Sequence, residues 1–436
     1  MTTREGDNGQ TLLAIAAVIV FFLVRLALLI VREPFFDELF TVWMARQPIE
    51  AILPALLQDS GPPLYYFIAR IPDVMALRVM SLLIATITLA LILTRKSLGD
   101  ARYLGALLLA IYPPAALFAV EARAYSLCGL FVALGVIAVH ERRPGASAVS
   151  FLLAAYTHWY GALFLPLVLL SGPKRRAATA LAIAAVAFLP GLYLASRQPP
   201  QATAWLAGQN PIAALGAFMF VGPSAGALFT APPLVVLVVS MTALMVAGAR
   251  KWTFLPMVVV PVLLAIAFAL AGRTVYFPMR FESVLAVPLV LWLATSLAAW
   301  APRVRIALCV VLCGCGVVAI AMGALEHARR PRDPYREAAI VLRQSAKPDE
   351  KIVASGFLYL ESAEQLGVAR VQAFPAEQGR HPGWRVMQPP NEPLPQGEFV
   401  WIGERAAPEL IALRQRRVMV LFKNDRALVL RVRLEK

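Results

Sequence analysis

Two adjacent carboxylates, Asp37 and Glu38, follow directly on the first long apolar segment of this 436-residue chain. The chain then stays outside the bilayer for about forty residues, because no stretch long and apolar enough to span it begins before residue 74. This loop, residues 32–73, also contains Asp59, Tyr65 and Tyr66. Ionisable groups at membrane depth are costly to place and are usually functional. We therefore expect the chemistry in this loop.

Further ionisable residues fall on the same side of the membrane once the basic clusters are assigned to the opposite side. They are Glu121, Arg123, Arg273, Arg280 and Glu282, with His158 and Tyr160 at a nearby turn. A carboxylate can take the proton from an attacking hydroxyl, and arginine holds a phosphate through two parallel hydrogen bonds without losing its charge. The set suits transfer of a sugar from a lipid-linked phosphate. Asp37 would be the base, and Arg123 and Arg280 would hold the leaving phosphate.

Each of these residues also has a purely structural interpretation, which the residue types alone leave open. A charged group can cap a helix, His158 can be hydrogen-bonded at a helix end, and Tyr65 and Tyr66 can anchor the chain at the interface as readily as stack on a sugar.

Three cysteines within residues 309–315 have no histidine or acid nearby, so we interpret them as packing residues. A divalent metal is compatible with the proposed chemistry but is not required by it.

Composition places the chain among polytopic membrane proteins. Apolar residues make up 59% of it and charged residues 15%, and the mean hydropathy is +0.69. A soluble core of this size is not so apolar. The net charge of +15 is explained by basic loops that set membrane orientation, so it indicates no nucleic-acid partner. The first apolar segment is longer than a signal-peptide core, and we interpret it as the first span.

Hydropathy and segment length predict about eleven membrane spans. They cover residues 11–31, 74–93, 103–119, 125–140, 177–194, 228–247, 254–271, 284–300 and 306–325, with two short spans inside 148–170. The last two follow from the basic clusters on either side of residues 148–170, because a single crossing would place one cluster on the wrong side. We therefore predict a short hairpin that turns at His158. Basic clusters at every second loop place the amino terminus in the cytoplasm.

The chain divides into a membrane domain, residues 1–325, and an outer domain, residues 326–436. The membrane domain has two outward loops, residues 32–73 and 196–226, and the amphipathic pieces of the first loop are predicted to lie in the membrane interface. The outer domain alternates short apolar runs and predicts a small extracytoplasmic α/β domain. Its predicted elements are a helix at 334–345, strands at 351–355, 399–402, 418–422 and 427–434, and a loop at 374–396.

Five short motifs in order resemble the motif series of the GT-C glycosyltransferases. They are Phe36-Asp37-Glu38, the stretch Asp59 to Tyr66, Glu121-Ala122-Arg123-Ala124-Tyr125, Tyr156 to Gly161, and Arg280-Phe281 ahead of Pro288. The chain is most similar to the family 39 group, which includes protein O-mannosyltransferases and relatives of the lipid A aminoarabinose transferase. The resemblance covers the whole membrane domain, and the start of the outer domain at residues 332–339 is also similar to bacterial members.

This resemblance implies an inverting transferase in the inner (plasma) membrane, with a polyprenyl-phosphate sugar donor and an extracytoplasmic active site. Asp37 would be the catalytic base, Glu38 would support it, and Arg123 and Arg280 would contact the donor phosphate. The acceptor would be a hydroxyl of a lipid, a glycan or a protein. The remaining residues predicted to bind substrate are Asp59, Tyr65, Tyr66, Glu121, Tyr125, His158 and Tyr160. One departure is Gly61, where many family members have a histidine.

Other functions remain open at this point. A transporter or flippase of lipid-linked sugars would also need cationic phosphate sites, but it would carry ionisable residues near mid-helix and inverted repeats. In this sequence the charges outside the basic clusters are concentrated at one face of the membrane, and no internal repeat is evident. A polymerase or ligase of oligosaccharide lipids would share the chemistry with larger substrates. A membrane scaffold would have no use for the paired acids.

Overall fold

The computed structural model describes residues 2–199, 242–243, 245–271, 276–277, 279–329, 334–356, 358–374, 394–405, 407, 410, 413 and 415–433. Most of the predicted outward loop 196–226, most of the predicted span 228–247, Arg273 and nearly all of the predicted loop 374–396 lie outside these residues. The described part is a bundle of apolar helices followed by a small domain that contains a β-sheet. This is the predicted fold class.

Five helices in the described part are long and apolar enough to cross a membrane. They are α1 (Thr2–Val31), α5 (Val74–Thr94), α10 (Lys174–Arg197), α12 (Arg280–Leu297) and α13 (Pro302–Arg329). Shorter apolar helices lie between them: α6 (Ala101–Ile111), α8 (Tyr125–His140), the 3₁₀ helix Trp159–Leu170 and α11 (Leu255–Leu270). Helix α12 is central, since 83% of its apolar window is buried against 22% for α1. The predicted number of spans stays a prediction.

The predicted single span at residues 103–119 is instead two helices. Helix α6 ends at Ile111, and α7 (Pro113–Phe118) begins at the pair Pro113-Pro114. Tyr112 between them has an extended backbone, with ψ 114°, because the residue before a proline is excluded from the helical region. The break redirects the chain toward the turn that carries Glu121 and Arg123.

The hairpin predicted within residues 148–170 is present and turns at His158. Helix α9 (Pro144–Thr157) leads in, and the 3₁₀ helix Trp159–Leu170 leads out. The two arms touch at Gly161, where an added Cβ would lie 2.2 Å from the backbone carbon of Ala154. Only glycine permits this approach, which places His158 and Tyr160 beside the start of α8.

The outer domain contains a five-stranded mixed sheet in the order β2-β1-β3-β5-β4. Strand β1 (Ile352–Ser355) pairs in parallel with β2 (Val371–Phe374) and β3 (Phe399–Glu404), and β5 (Ala427–Arg433) is antiparallel to β3 and β4 (Arg417–Lys423). Two helices accompany the sheet, α14 (Pro334–Ser345) and α15 (Leu358–Leu366). The predicted helix and four predicted strands are confirmed within two residues at each end. Helix α15 and strand β2 were not predicted.

The first outward loop packs into the protein, between the bundle and the outer domain. It contains α2 (Phe36–Arg46), α3 (Ile52–Leu56) and α4 (Leu64–Ile68). Leu39 and Trp43 of α2 belong to the same buried apolar cluster as Leu358 and Tyr359 of α15. Eight residues of α2 are buried, so this amphipathic piece packs its apolar side against protein, and its place in the membrane interface stays a prediction.

Polar contacts at the opposite end of the bundle join the other helix ends. Gln10 donates to Asp100 at 2.9 Å, and Ser97 donates to Glu141 at 3.0 Å. The start of α1, the end of α5 and the end of α8 therefore lie together, far from the first outward loop. The amino-terminal end of α1 and the outer domain are on opposite ends of the bundle.

Candidate active site

Asp37 lies in the first turn of α2, where the chain has just left α1 and passed Pro34. Its Oδ2 accepts a hydrogen bond from Nη2 of Arg280 at 3.0 Å. Both side chains are partly accessible, with 29% of Asp37 and 21% of Arg280 exposed. A carboxylate at the start of a helix is also favoured by the helix dipole. This ion pair therefore joins two segments far apart in sequence and remains open to a ligand.

Arg123 lies on the other side of Asp37, in the turn between α7 and α8. Its Nη1 donates to the backbone oxygen of Asp37 at 3.2 Å and to the Tyr66 hydroxyl at 3.2 Å. Burial alone would raise the pKa of Asp37, but the charges of Arg123 and Arg280 and the Arg280 hydrogen bond outweigh it. The pKa of Asp37 is held below its ordinary value, so the carboxylate is ionised at neutral pH.

Glu38 points into a different environment from its neighbour. It is fully buried and accepts two hydrogen bonds from Arg78, at 2.8 Å and 2.5 Å, and one from the Ala122 N–H at 2.8 Å. Arg78 also donates to the backbone oxygens of Arg32 and Glu33, at 2.7 Å and 3.1 Å. The Glu38–Arg78 pair thus ties the end of α1, the start of α2 and the Arg123 turn together. It does not face the open side of Asp37.

Sequence reasoning missed Arg78. It lies in the first turns of α5, inside a segment that was assigned to a membrane span. A lone arginine in a span signals a buried partner, because an uncompensated charge there is costly. That signal was available, but nothing in the sequence says that Glu38 rather than another acid is the partner.

Glu121 is buried beside the same turn. Its Oε1 accepts a hydrogen bond from Arg32 Nη2 at 2.6 Å, and its backbone oxygen accepts one from Ser81 at 2.6 Å. Arg32 Nη1 also donates to the oxygen of Leu117 at 3.0 Å. Burial raises the pKa of the Glu121 carboxyl, and the Arg32 charge opposes this rise without cancelling it. Glu121 therefore holds the turn that carries Arg123.

Aromatic rings form one wall of the site. The His158 ring lies 5.2 Å from the Tyr125 ring and 4.4 Å from the Tyr160 ring, and the Arg280 guanidinium is 5.9 Å from the centre of Tyr125. Burial, with the charges of Arg123 and Arg280, lowers the pKa of His158 to about 3. The ring is thus neutral, and its Nδ1 accepts the Tyr160 N–H at 3.2 Å. In that tautomer Nε2 carries the hydrogen and can donate to a ligand.

The other predicted residues of the first outward loop differ in accessibility. Tyr65 and Tyr66 are both buried and pack edge-on at 5.7 Å, and of the two it is Tyr66 that contacts Arg123. Asp59 is partly buried and acts electrostatically on Arg123. Gly61 has φ +102°, a backbone conformation that a residue with a Cβ adopts only with strain. This explains why a histidine at this position would not fit the loop as it is folded here.

The structure therefore gathers Asp37, Arg123, Arg280, Tyr66 and Asp59, of which Asp37 and Arg280 are partly exposed. Tyr125, His158 and Tyr160 pack together beside Arg280, and Glu38, Glu121 and Tyr65 are buried. Within the described residues, no three side chains of His, Cys, Asp or Glu come close enough to hold a metal ion. An ionised carboxylate can receive a proton, and the two guanidinium groups beside it can bind a phosphate.

No protein-family model and no curated protein sequence matches the chain. Among solved structures it is similar to ArnT from Cupriavidus metallidurans in the apo state, with a TM-score of 0.55 and 12% identity over 98% of each chain. It is also similar to the same protein bound to undecaprenyl phosphate, with a TM-score of 0.51 and 13% identity over 97% of each chain. The fold expected from the motifs is confirmed: the chain has the GT-C fold, with its outer domain included.

Proposed function

We propose that this protein is an inverting membrane glycosyltransferase, which moves a sugar from a polyprenyl-phosphate donor to an acceptor hydroxyl. The observation that carries the proposal is the ionised Asp37, partly open and held between Arg280 and Arg123. A general base and a phosphate-binding pair are the two parts this reaction needs. The fold supports the donor class, because the similar ArnT structure contains undecaprenyl phosphate.

The reaction is a single displacement. The acceptor oxygen attacks the anomeric carbon, and its proton passes to the Asp37 carboxylate. The bond between the anomeric carbon and the phosphate oxygen breaks, and its electron pair leaves with the polyprenyl phosphate. Attack from the face opposite the leaving group inverts the anomeric configuration. The phosphate gains negative charge in the transition state, which is where the fixed charges of Arg123 and Arg280 act most strongly.

The ion pair between Asp37 and Arg280 gives the donor a second effect. Arg280 is paired with Asp37, so a donor phosphate that binds Arg280 would compete with the carboxylate for the same guanidinium. Drawing Arg280 toward the phosphate weakens its hold on Asp37 and makes the carboxylate a stronger base. Donor binding would thereby activate the base only when a leaving group is present.

We place the active site on the extracytoplasmic face of the inner membrane, with the amino terminus in the cytoplasm and the outer domain in the periplasm. This follows from the basic clusters, which fall at the end of the bundle away from Asp37. The acceptor would be a lipid, a glycan or a protein hydroxyl. A flippase is less well supported, because the site charges gather at one end of the helices, whereas a carrier needs its site near the midplane.

The test is turnover of a panel of synthetic polyprenyl-phosphate sugars by the purified protein, with wild type, Asp37→Asn and Asp100→Asn compared. The asparagine side chain keeps the shape of Asp37 but takes no proton, so turnover should fall by about 10²-fold or more while donor binding persists. Asp100 lies at the opposite end of the bundle, and its variant should match wild type. Wild type that consumes no donor with any acceptor would contradict the proposal, and an active Asp37→Asn would remove Asp37 as the base.

A further inference from the structure

Arg25 is a buried arginine well inside the first span. It is 1% exposed, and its hydrogen bonds end on backbone oxygens: Ala110 at 2.9 Å, Leu109 at 3.2 Å and Phe21 at 3.3 Å. The guanidinium also lies 3.7 Å from the centre of the Phe21 ring. A charged side chain at this depth is costly and usually has a function. The proposed reaction does not use it directly.

The two oxygens on α6 that Arg25 contacts are the ones that the next prolines leave unpaired. In an α-helix the oxygen of residue i accepts from the N–H of residue i+4. Leu109 and Ala110 would therefore need the N–H groups of residues 113 and 114, and both are prolines, which have none. Unpaired backbone oxygens are expensive in a membrane, where no water can replace the donor. The terminal nitrogens of Arg25 supply one donor to each oxygen.

Arg32 also donates to a backbone oxygen, one helix further along the chain. It lies seven residues after Arg25, so both point from the same face of α1. Its Nη1 donates to the oxygen of Leu117, in the last turn of α7, and its Nη2 holds Glu121. Helix α1 and the residue that follows it thus provide two arginines that donate to carbonyls at the ends of α6 and α7. Between them they fix the direction in which the chain approaches Arg123.

We infer that Arg25 is a positioning residue: it replaces the two donors lost to Pro113 and Pro114, holds the break between α6 and α7, and so sets Arg123 against Asp37. The structural half of this inference is independent of the enzymatic reaction. The half that concerns Arg123 rests on the proposed function. The two halves are tested by separate measurements.

The structural half is tested by a thermodynamic cycle in detergent. Arg25→Met keeps much of the length of the side chain and removes its donors, and it should lower the apparent melting temperature by about 4 °C or more. In a Pro113→Ala/Pro114→Ala background the restored N–H groups can pair with Leu109 and Ala110. There, Arg25→Met should lower the melting temperature by less than half as much.

A matched background separates this coupling from a general effect of proline removal. Pro190 lies inside α10, away from Arg25, so Arg25→Met should cost as much in Pro190→Ala as in wild type. Should Arg25→Met yield no folded protein, recovery of folded protein in the Pro113→Ala/Pro114→Ala background alone supports the inference equally. The same shift in all three backgrounds, or no recovery, overturns it.

The positioning half is tested by activity per folded molecule. Arg25→Met should lower kcat/KM for the donor by about tenfold or more, because a displacement of about 1 Å in a catalytic group has large effects. In an Arg123→Gln background the same change should cost less than about twofold, since the group it positions is gone. Equal losses in both backgrounds would indicate a structural effect alone and overturn this half. If neither wild type nor any variant turns over donor, the proposed function fails together with the positioning half. The melting-temperature cycle still decides the structural half.

Discussion

Asp37 and Glu38 are neighbours in the sequence and each pairs with an arginine, yet the two pairs lie in different surroundings. The Asp37–Arg280 pair is partly exposed and spans 3.0 Å. The Glu38–Arg78 pair is buried and adds bonds to Ala122, Arg32 and Glu33. An open pair can exchange its partner for a ligand, whereas a buried pair with every guanidinium nitrogen bonded can only hold the structure.

The helix period explains how adjacent acids reach such different positions. Successive residues of α2 point about 100° apart, so Asp37 reaches Arg280 while Glu38 reaches the buried Arg78. The open pair joins α2 to α12, and the closed pair joins α2 to α5 and to the Arg123 turn. In the proposed mechanism, the freedom of Asp37 to change partners therefore depends on the rigid hold on Glu38.

The largest effect is expected at the closed pair. Glu38→Gln leaves Arg78 buried without a counter-charge and should destabilise the protein by about 3–5 kcal/mol. The measurements are the yield of monodisperse protein in detergent and its apparent melting temperature. A double variant, Glu38→Leu/Arg78→Met, replaces the whole pair by apolar groups and should recover part of the loss. A Glu38→Gln protein as stable as wild type would show that the closed pair does not hold the site.

The open pair should respond in activity. Arg280→Gln removes one of the two proposed phosphate contacts and should lower kcat/KM by about 10²-fold, with a melting temperature close to that of wild type because the pair is partly solvated. Arg280→Lys keeps the charge but loses the two-pronged geometry, so it should restore only part of the rate. Arg78→Gln serves as the matched control in the closed pair and should fail in folding. Similar behaviour of the two glutamine variants would remove the distinction between the pairs.

A smaller effect concerns pH. The pKa of Asp37 is lowered, so its carboxylate stays ionised above the ordinary aspartate value, about 4, and activity that depends on it is lost only below that pH. His158, with its pKa lowered to about 3, is neutral over the same range. The pH dependence of kcat/KM should thus be flat between about pH 5 and 8 with respect to both groups. His158→Asn should leave the shape of the profile unchanged. If the wild-type profile instead shows a limb near the ordinary histidine pKa, about 6.5, and this limb disappears in His158→Asn, then His158 titrates in this range.

The smallest effect is expected from metal removal. In the proposed mechanism Arg123 and Arg280 alone hold the phosphate, so prolonged treatment with a chelator should change donor turnover by less than about twofold. Readdition of Mg²⁺ or Mn²⁺ provides the control. A large loss that either cation reverses would mean that a metal shares the phosphate with the open pair.

Much of the architecture could be predicted because it depends on local pattern. Apolar length located the five long apolar helices of the described part. The hairpin that turns at His158 was predicted from the basic clusters on either side of it, because an even number of crossings keeps both clusters on one side of the membrane. Period-two alternation located four strands of the outer domain. Strand β2 was missed because it is only four residues long, too short for a periodic signal. The break at Tyr112 was missed because hydropathy continues smoothly across Pro113-Pro114.

The amino-acid sequence was enough to show that this is a membrane protein, to predict that Asp37, Arg123 and Arg280 lie at one end of its helices, and to predict a small α/β domain after them. These conclusions need only composition, length and motif order. The packed structure was needed to show which acid is open, that Arg78 is the partner of Glu38, and that Arg25 serves the oxygens of Leu109 and Ala110. Hydropathy and periodicity report the surroundings of each residue, but pairing depends on which distant segments meet, and that is set by the packing of the whole chain.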